Sequence, residues 1–549
     1  MKVSILSAAV GAALLGSAGS ALALDTTNYA GAVKLYYGGA TATDNLLVDF
    51  FRAVGGPCDA GTIDVYRGTN EAVILCTVST AISGFGSHAV AFHKESNGGS
   101  ERGVGPLIEY GRSGTNTTLQ WLDLSKLDST ELTTCGSSPV AGVTASGVTV
   151  LNSYTNHASC PLTGNLTDLT GGTSPVFPTG GIADVEPALL LPKPSPSDVN
   201  TYLVQTAGVQ VVFGVPVTTS LYRALQQAQG ITGTGSVAPC STNADDPACV
   251  PSLTRSQLAA LYSQTIADWG SFTDKNGVSL TASTLVTPSL IPTDTVPRIC
   301  RRVQTSGTEA GTEAYMLNNR CTDGTAPMAL PDVGTVTDTV NKPFTVGSGG
   351  TTTINDHYVQ AGVGSGNVRS CLDQVEHNGN TDGTYAGNDR KWGIGVLSTE
   401  VTAANQTAAH DSIRFVAING SAPTLANTIN GDYDFYTDDV LLKISTGHTG
   451  FVDPTSLVGK VQGFLESHLA LPAVIANVDK DYVQAWGQGG LLSPPGHGTS
   501  ATAPVSPTAA ASNPNAKASH VATGAISNCG PSIPFEASGT PADNKAQNN

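Results

Sequence analysis

The residues with the clearest capacity for chemistry lie between Arg301 and Glu309, where two arginines precede a Ser-Gly-Thr triplet. Ser306 and Glu309 have the spacing of a capping box, and small or apolar residues continue along one helical face to Leu317. The triplet therefore predicts the start of a helix, where several backbone N–H groups have no partner within the helix.

A helix start of this composition is suited to binding an anion. Its unpaired N–H groups and the helix dipole attract negative charge. Gly307 lets the backbone approach an oxyanion closely, and the hydroxyls of Ser306 and Thr308 add hydrogen-bond donors. Arg302 can present a planar fork to two oxygens. The alternative is an ordinary capped helix, since capping boxes are common.

Two other turns share this composition. Gly39-Ala40-Thr41-Ala42 lies between a predicted strand and a predicted helix, and Ser96-Asn97-Gly98-Gly99 follows another strand. Each by itself is better explained as a tight turn. Three turns of Gly, Ser and Thr that lead from strands into helices, however, favour a nest of backbone donors around one anion.

With these segments in place, the chain resembles the phosphate-binding proteins of bacterial ABC importers, including the DING-type branch. The two turns match that family's G-A-T-x and S-x-G-G turns, and Ile182 to Pro187 resembles its A-S-D-x-P segment. Arg301-Arg302 followed by Ser306-Gly307-Thr308 matches R-R-x-x-x-S-G-T in spacing and type. Gly364 to Val368 and Gly393 to Val396 resemble two further segments without ligand roles. The resemblance implies a phosphate-binding set of Thr41, the Ala42 N–H, Ser96, Asp184, Arg302, Ser306, Gly307 and Thr308.

The resemblance also implies an α/β fold of the type II periplasmic binding proteins, with two lobes and a ligand cleft between them. We expect one lobe from residues 24–212 and 433–490, with an insertion at 111–180, and the other from 213–432. The insertion lengthens the gap between Ser96 and Asp184. A second departure is Gln304, since family members usually carry an acidic residue two positions after the binding arginine.

Asp184 is an unusual residue for an anion site, because two negative charges repel each other. A carboxylate can only accept a hydrogen bond, and hydrogen phosphate still has a proton to donate. Sulfate has no such proton at neutral pH, so Asp184 would favour phosphate over sulfate. A solvated loop aspartate is the alternative interpretation.

Other kinds of site find little support. His88 and His93 fall on opposite faces of a predicted strand, and the chain has no HExxH, CxxC, GxSxG or P-loop motif. We therefore expect no metal, no cofactor and no enzymatic activity.

Two alternatives to a phosphate-binding protein stay open. One is a phosphatase-like relative with Ser96, Ser306 or Thr41 as nucleophile, and the other is a secreted interaction protein built on the same scaffold.

Composition and leader predict an exported protein. Lys2 precedes an apolar run, and Ala21-Leu22-Ala23 suits signal-peptide cleavage, so we expect residues 1–23 to be removed and the protein to be periplasmic or secreted. The net charge of −17 argues against nucleic acid as a partner. We expect a monomer that binds inorganic phosphate and either serves an ABC permease or scavenges phosphate outside the cell.

Ten cysteines in an exported chain predict disulfides. Proximity in sequence suggests Cys58–Cys76, Cys135–Cys160 and Cys240–Cys249, and leaves four cysteines for two bridges of undetermined pairing: Cys300, Cys321, Cys371 and Cys529. Residues 493–549 form a low-complexity tail of Pro, Ala, Ser and Thr that we expect to be disordered, although Cys529 could tie it to the body.

Overall fold

The structure, a computed structural model, describes most but not all of the chain. It covers residues 26–127, 177–231, 246–321, 359–377, 390–401 and 413–495 apart from a few positions within them. Cys240, several short strands between those ranges and much of 516–534 are also described. The predicted Cys135–Cys160 bridge, the signal peptide and most of the predicted insertion lie outside these residues. Within the described part, no helix combines the length and apolar character needed to cross a bilayer.

Fourteen strands form one large mixed sheet together with two short strands near residues 136–161. In chain order they are β1 (Val33–Gly39), β2 (Asp64–Arg67), β3 (Glu71–Val78), β4 (His88–Glu95), β5 (Gly180–Ala183), β6 (Leu203–Thr218), β7 (Ser252–Leu253), β8 (Arg298–Arg302), β9 (Val359–Gly362), β10 (Gly393–Gly395), β11 (Leu397–Ser398), β12 (Ile413–Ile418), β13 (Tyr436–Ile444) and β14 (Leu491–Leu492).

Ten α-helices lie among the described residues. They are α1 (Asp44–Arg52), α2 (Gly105–Ser113), α3 (Pro196–Tyr202), α4 (Thr219–Ala228), α5 (Arg255–Tyr262), α6 (Gly307–Leu317), α7 (Ser365–Glu376), α8 (Leu425–Asn430), α9 (Leu457–His468) and α10 (Pro472–Asp479). Thr254 and Gln257 form a capping box at the start of α5.

The long strand β6 divides the sheet into two parts. Its first half pairs antiparallel with β13, which leads through β5 and β1 to β4, β3 and β2. Its second half pairs with β12 and with β10, and β10 leads to β8 and β9. The returning chain meets β6 where the Phe213 N–H donates to the Phe435 carbonyl. The predicted two-lobed α/β fold is confirmed, with the strands from β13 to β2 in the first lobe and those from β10 to β9 in the second.

Parallel pairing explains why the polar turns meet in this fold. In the first lobe β1 runs parallel to β4 and β5, and in the second β8 runs parallel to β9 and β10. Strands of a parallel set end at the same edge of the sheet, and ligands of open α/β sheets bind beyond the carboxyl ends of the strands. The turns after β1, β4 and β5 therefore share one edge, and the turns after β8 and β9 share another.

Four disulfides join described cysteines. Two are the predicted pairs Cys58–Cys76 and Cys240–Cys249, and the remaining partners are now assigned as Cys300–Cys371 and Cys321–Cys529. We expect thiol titration of the denatured, unreduced protein to find almost no free thiol, since each bridge typically stabilises by about 2–4 kcal/mol. Several reactive thiols would contradict this pairing.

Part of the predicted disordered tail packs against the first lobe. The Asn528 side chain donates to Glu186, the His520 N–H and the Ser519 hydroxyl donate to Asp438, and Cys529 ties the segment to the end of α6. The low-complexity composition of residues 493–549 did not indicate these contacts, because they depend on polar residues far apart in the sequence.

This packing makes the tail a stabilising element. A chain that ends at Pro495 leaves the buried carboxyl groups of Glu186 and Asp438 without tail partners and removes the Cys321–Cys529 bridge. We expect a loss of about 2–5 kcal/mol in the free energy of unfolding, measured by denaturant titration. The matched control is the full chain with Cys321→Ser and Cys529→Ser, which should lose less. Equal stability of the native and shortened chains would show that the docked segment contributes nothing.

Candidate functional site

Arg302 stands at the end of β8 and reaches across to the first lobe. Its side chain is 1% exposed, with Nε donating to the Gly362 carbonyl (3.2 Å) and Nη2 to the Val363 carbonyl (2.8 Å). Nη1 donates to Thr41 Oγ1 at 2.6 Å. Burial lowers the pKa of Arg302 to about 10, and Asp184 opposes that fall, so the guanidinium is a cation at neutral pH. Backbone carbonyls hold this arginine without an acidic residue at position 304.

Ser306 is the N-cap residue of α6, but its side chain does not cap the helix. The capping box predicted for Ser306 and Glu309 is wrong, because Glu309 accepts instead from Arg301 Nη1 (3.1 Å) and from the Arg302 N–H (3.3 Å). The Ser306 hydroxyl is fully buried and has no hydrogen-bond partner among the described residues. A buried hydroxyl without a partner is costly, so this atom is placed to donate a hydrogen bond to a ligand.

Asp184 follows β5 and lies beside the start of α6. Thr308 Oγ1 donates to Asp184 Oδ2 at 3.0 Å, and the Asp184 N–H donates to Ser100 Oγ at 3.0 Å. Oδ1 is buried, and no donor in the described part of the chain lies at hydrogen-bond distance and angle from it. Burial raises the pKa of the Asp184 carboxyl, and the Arg302 guanidinium opposes the rise.

Gly307 and Gly99 allow the turns to meet at close range. A side chain at Gly307 would collide with Ser100 Oγ and lie 2.9 Å from Asp184 Cβ. One at Gly99, whose φ is +82°, would lie 2.9 Å from Ser306 Cα and 3.2 Å from Arg302 Nη2. Only glycine fits both positions, which explains why the motif carries it there.

The remaining predicted residues lie on the first-lobe side. Thr41 and Ala42 occupy a single 3-10 turn before α1, with Ala42 buried. The Ser96 hydroxyl donates to Asp44 (2.7 Å) and accepts from Lys94 Nζ (2.9 Å). Buried Lys94 adds a cation beside the predicted residues, because it donates to Ser96 and pairs with Asp44 at 3.0 Å.

A cavity of about 470 Å³ opens beside these residues. Its lining includes Thr41, Ser96, Arg67, Glu400 and Ser365, the first residue of α7. Ser365 Oγ lies 3.4 Å from Arg302 Nη1 and 3.3 Å from Thr41 Oγ1.

The structure thus forms two adjoining groups from the predicted residues. Asp184, Ser306, Gly307 and Thr308 surround the start of α6, while Arg302 donates to Thr41, which lines the cavity. Ser96 lines the same cavity, but its hydroxyl is engaged by other side chains.

The sequence interpretation missed Ser100, Lys94 and Ser365. Ser365 carries a signal that could have found it, because Gly-Ser-Gly-Asn at 364–367 has the composition of the turns predicted to bind an anion. Ser100 and Lys94 carry no comparable signal. The described residues contain no group of three or more His, Cys, Asp or Glu side chains placed to hold a metal ion.

The arrangement supplies donors and one acceptor around the same point. Arg302 and the first N–H groups of α6 favour negative oxygens, and the Ser306 hydroxyl can donate to another. Asp184 can only accept while it is ionised, so a complementary ligand is an oxyanion that retains one proton.

This chain shows only a distant similarity to known proteins. No family model matches the chain, and no curated protein matches it. Among solved structures it is similar to a candidate phosphate ABC transporter substrate-binding protein with bound phosphate from Clostridium perfringens, at 14% identity and a TM-score of 0.28 over 56% of this chain and 78% of that one. It is similar to an ABC-type phosphate transport receptor from Vibrio cholerae (14% identity, TM-score 0.27, 56% and 79%). It is also similar to PstS from Borrelia burgdorferi (11% identity, TM-score 0.24, 52% and 72%). TM-scores of this size carry no argument about ligand, which depends on the site itself.

Proposed function

We propose that this chain is an exported solute-binding protein that captures hydrogen phosphate between its two lobes. The observation that carries the proposal is the pair of unsatisfied buried atoms, Ser306 Oγ and Asp184 Oδ1, at the start of α6 beside the Arg302 cation. One is a donor and the other an acceptor, and hydrogen phosphate complements both. The proposed ligand residues are Thr41, the Ala42 N–H, Ser96, Asp184, Arg302, Ser306, Gly307 and Thr308.

The setting agrees with capture outside the cytoplasm. Four disulfides among the described residues suit an oxidising compartment, as does the predicted signal peptide. We propose that the protein acts as a monomer in the periplasm or secreted medium, without metal or cofactor. It delivers phosphate to an ABC permease or retains it as a scavenger.

Calorimetric titration of protein stripped of ligand by reversible denaturation tests this function. Phosphate and arsenate should both bind, because each keeps a proton near neutral pH, while sulfate and molybdate should bind far more weakly. A buried mismatch against Asp184 costs about 1–3 kcal/mol or more. Binding of sulfate as tight as phosphate, or no binding of any of the four anions, would overturn the proposal.

A phosphatase is the second candidate, and one contact favours it. The Ser96 hydroxyl touches both a carboxylate and an ammonium group at the cavity wall, an arrangement that can activate a nucleophile. We expect no hydrolysis of p-nitrophenyl phosphate. Lys94 and Asp44 already form an ion pair with each other, so neither group serves as a free base for the Ser96 hydroxyl. Turnover that disappears in Ser96→Ala would establish the enzyme instead.

A further inference from the structure

Asp439 is a buried acid next to the proposed site that no ligand role yet explains. It lies on β13 with 0% exposure, and neither carboxyl oxygen has a hydrogen-bond partner among the described residues. An ionised carboxylate in this setting would pay a desolvation penalty of several kcal/mol with no compensating contact.

The strand register brings Asp439 to Asp184. β13 runs antiparallel to β5 with Leu441 opposite Ile182 and Val440 opposite Ala183. The pairing ends there, and Asp439 and Asp184 are the next residue on each side of it. Asp184 is also the charged group that acts most strongly on Asp439. Each of the two carboxyl groups has an oxygen without a partner, Oδ1 of Asp184 and both oxygens of Asp439.

Two buried carboxyl groups this close do not both ionise, so one of them keeps a proton. The surrounding charges decide which one. Arg302 and Lys94 both lower the pKa of Asp184, against the larger effect of burial. Burial raises the pKa of Asp439 well above its usual value, and its charged neighbours Asp184, Asp438 and Glu400 are all acids that raise it further. The proton therefore belongs on Asp439.

We propose that Asp439 is the proton-carrying partner of Asp184. It donates its carboxyl O–H to one lone pair of Asp184 Oδ1 and so keeps Asp184 ionised, with the second lone pair of that oxygen left to accept the proton of the bound anion. No bond to the proton breaks in this arrangement, since it stays on Asp439 before and after binding. The proposal extends the proposed function, because it assigns a positioning residue that sets the preference for phosphate over sulfate. It also explains how a second acid stands beside an anion site without adding negative charge.

Two substitutions separate hydrogen-bond donation from mere packing. In Asp439→Asn the side-chain amide still donates to Asp184, whereas Asp439→Leu fills similar space and donates nothing. We expect Asp439→Asn to keep the native ratio of phosphate to sulfate affinity within about twofold between about pH 6 and pH 9. Asp439→Leu should reduce that ratio about tenfold near pH 6, because Asp184 without its donor takes up a proton and can then serve sulfate, and the ratio should recover near pH 9.

Three outcomes would overturn the assignment. A rise in affinity for both anions in Asp439→Asn would mean that a negative charge had been removed from position 439. An unchanged ratio in Asp439→Leu at every pH would mean that the two carboxyl groups are not coupled. The third concerns the infrared difference spectrum between the native protein and Asp439→Asn, recorded without added anion. If Asp439 carries the proton, the carbonyl band of a protonated carboxyl group disappears in the variant, and a spectrum in which no such band is lost would contradict the assignment. That spectrum tests the proton on Asp439 even if the native protein binds neither anion, a result that would refute the proposed function alone.

Discussion

Arg302→Ala should abolish most phosphate affinity, with a loss of about 2–5 kcal/mol in the free energy of binding. The guanidinium is buried, charged and fixed by two backbone carbonyls, so it is oriented before the anion arrives. Its removal also takes away the larger of the two cationic effects, from Arg302 and Lys94, that lower the pKa of the Asp184 carboxyl. Calorimetric titration of native and variant protein with phosphate gives the difference directly.

The control for this prediction is Arg67→Ala. Arg67 lines the cavity beside Thr41 and carries the same charge as Arg302, but it lies outside the proposed ligand set. Its loss should weaken binding by less than about 1 kcal/mol, as for a partly exposed charge. Equal effects of the two substitutions would indicate that general positive charge, and not the Arg302 contact, attracts the anion.

Asp184→Asn should change which anion binds. The amide of asparagine can donate a hydrogen bond where the carboxylate could only accept, so sulfate no longer faces a mismatched oxygen. We expect phosphate to bind about 1–3 kcal/mol more weakly and sulfate to gain a similar amount, which together reverse or erase the preference. Competition calorimetry with both anions measures the ratio.

Glu400→Gln provides the matched control for Asp184→Asn. Glu400 is also a buried acid at the cavity, and its conversion to an amide removes a carboxyl group of the same kind. The ratio of phosphate to sulfate affinity should stay at the native value. If Asp184→Asn leaves the ratio unchanged while Glu400→Gln alters it, the selective carboxylate has been assigned to the wrong residue.

Local patterns predicted much of the fold because the elements carry their own signals. The alternation from Val33 to Tyr37 matches β1, the helical spacing from Leu46 to Phe51 matches α1, and the mostly apolar run Ile413–Ile418 matches β12. These segments are amphipathic or continuously apolar, so their burial follows from their sequence. The turns between them could be located for the same reason.

The rest depended on contacts between residues far apart in the chain. The Ser306 spacing predicted a cap, but the buried Arg301 offered Glu309 a stronger partner than the Ser306 N–H would have been. Asp439 lies within a strand whose pairing with β5 spans more than two hundred residues, and no local pattern reveals which acid it faces. The docking of Asn528 and Cys529 on the first lobe is equally non-local.

A crystal structure of the protein with phosphate at neutral pH tests the central claim most directly. The account predicts one tetrahedral anion between the lobes, with Ser306 Oγ and Asp184 within hydrogen-bond distance and an oxygen facing the Arg302 guanidinium. An anion bound instead at Arg67 with Ser306 and Asp184 still unsatisfied, or no anion in the cleft at saturating phosphate, would contradict it.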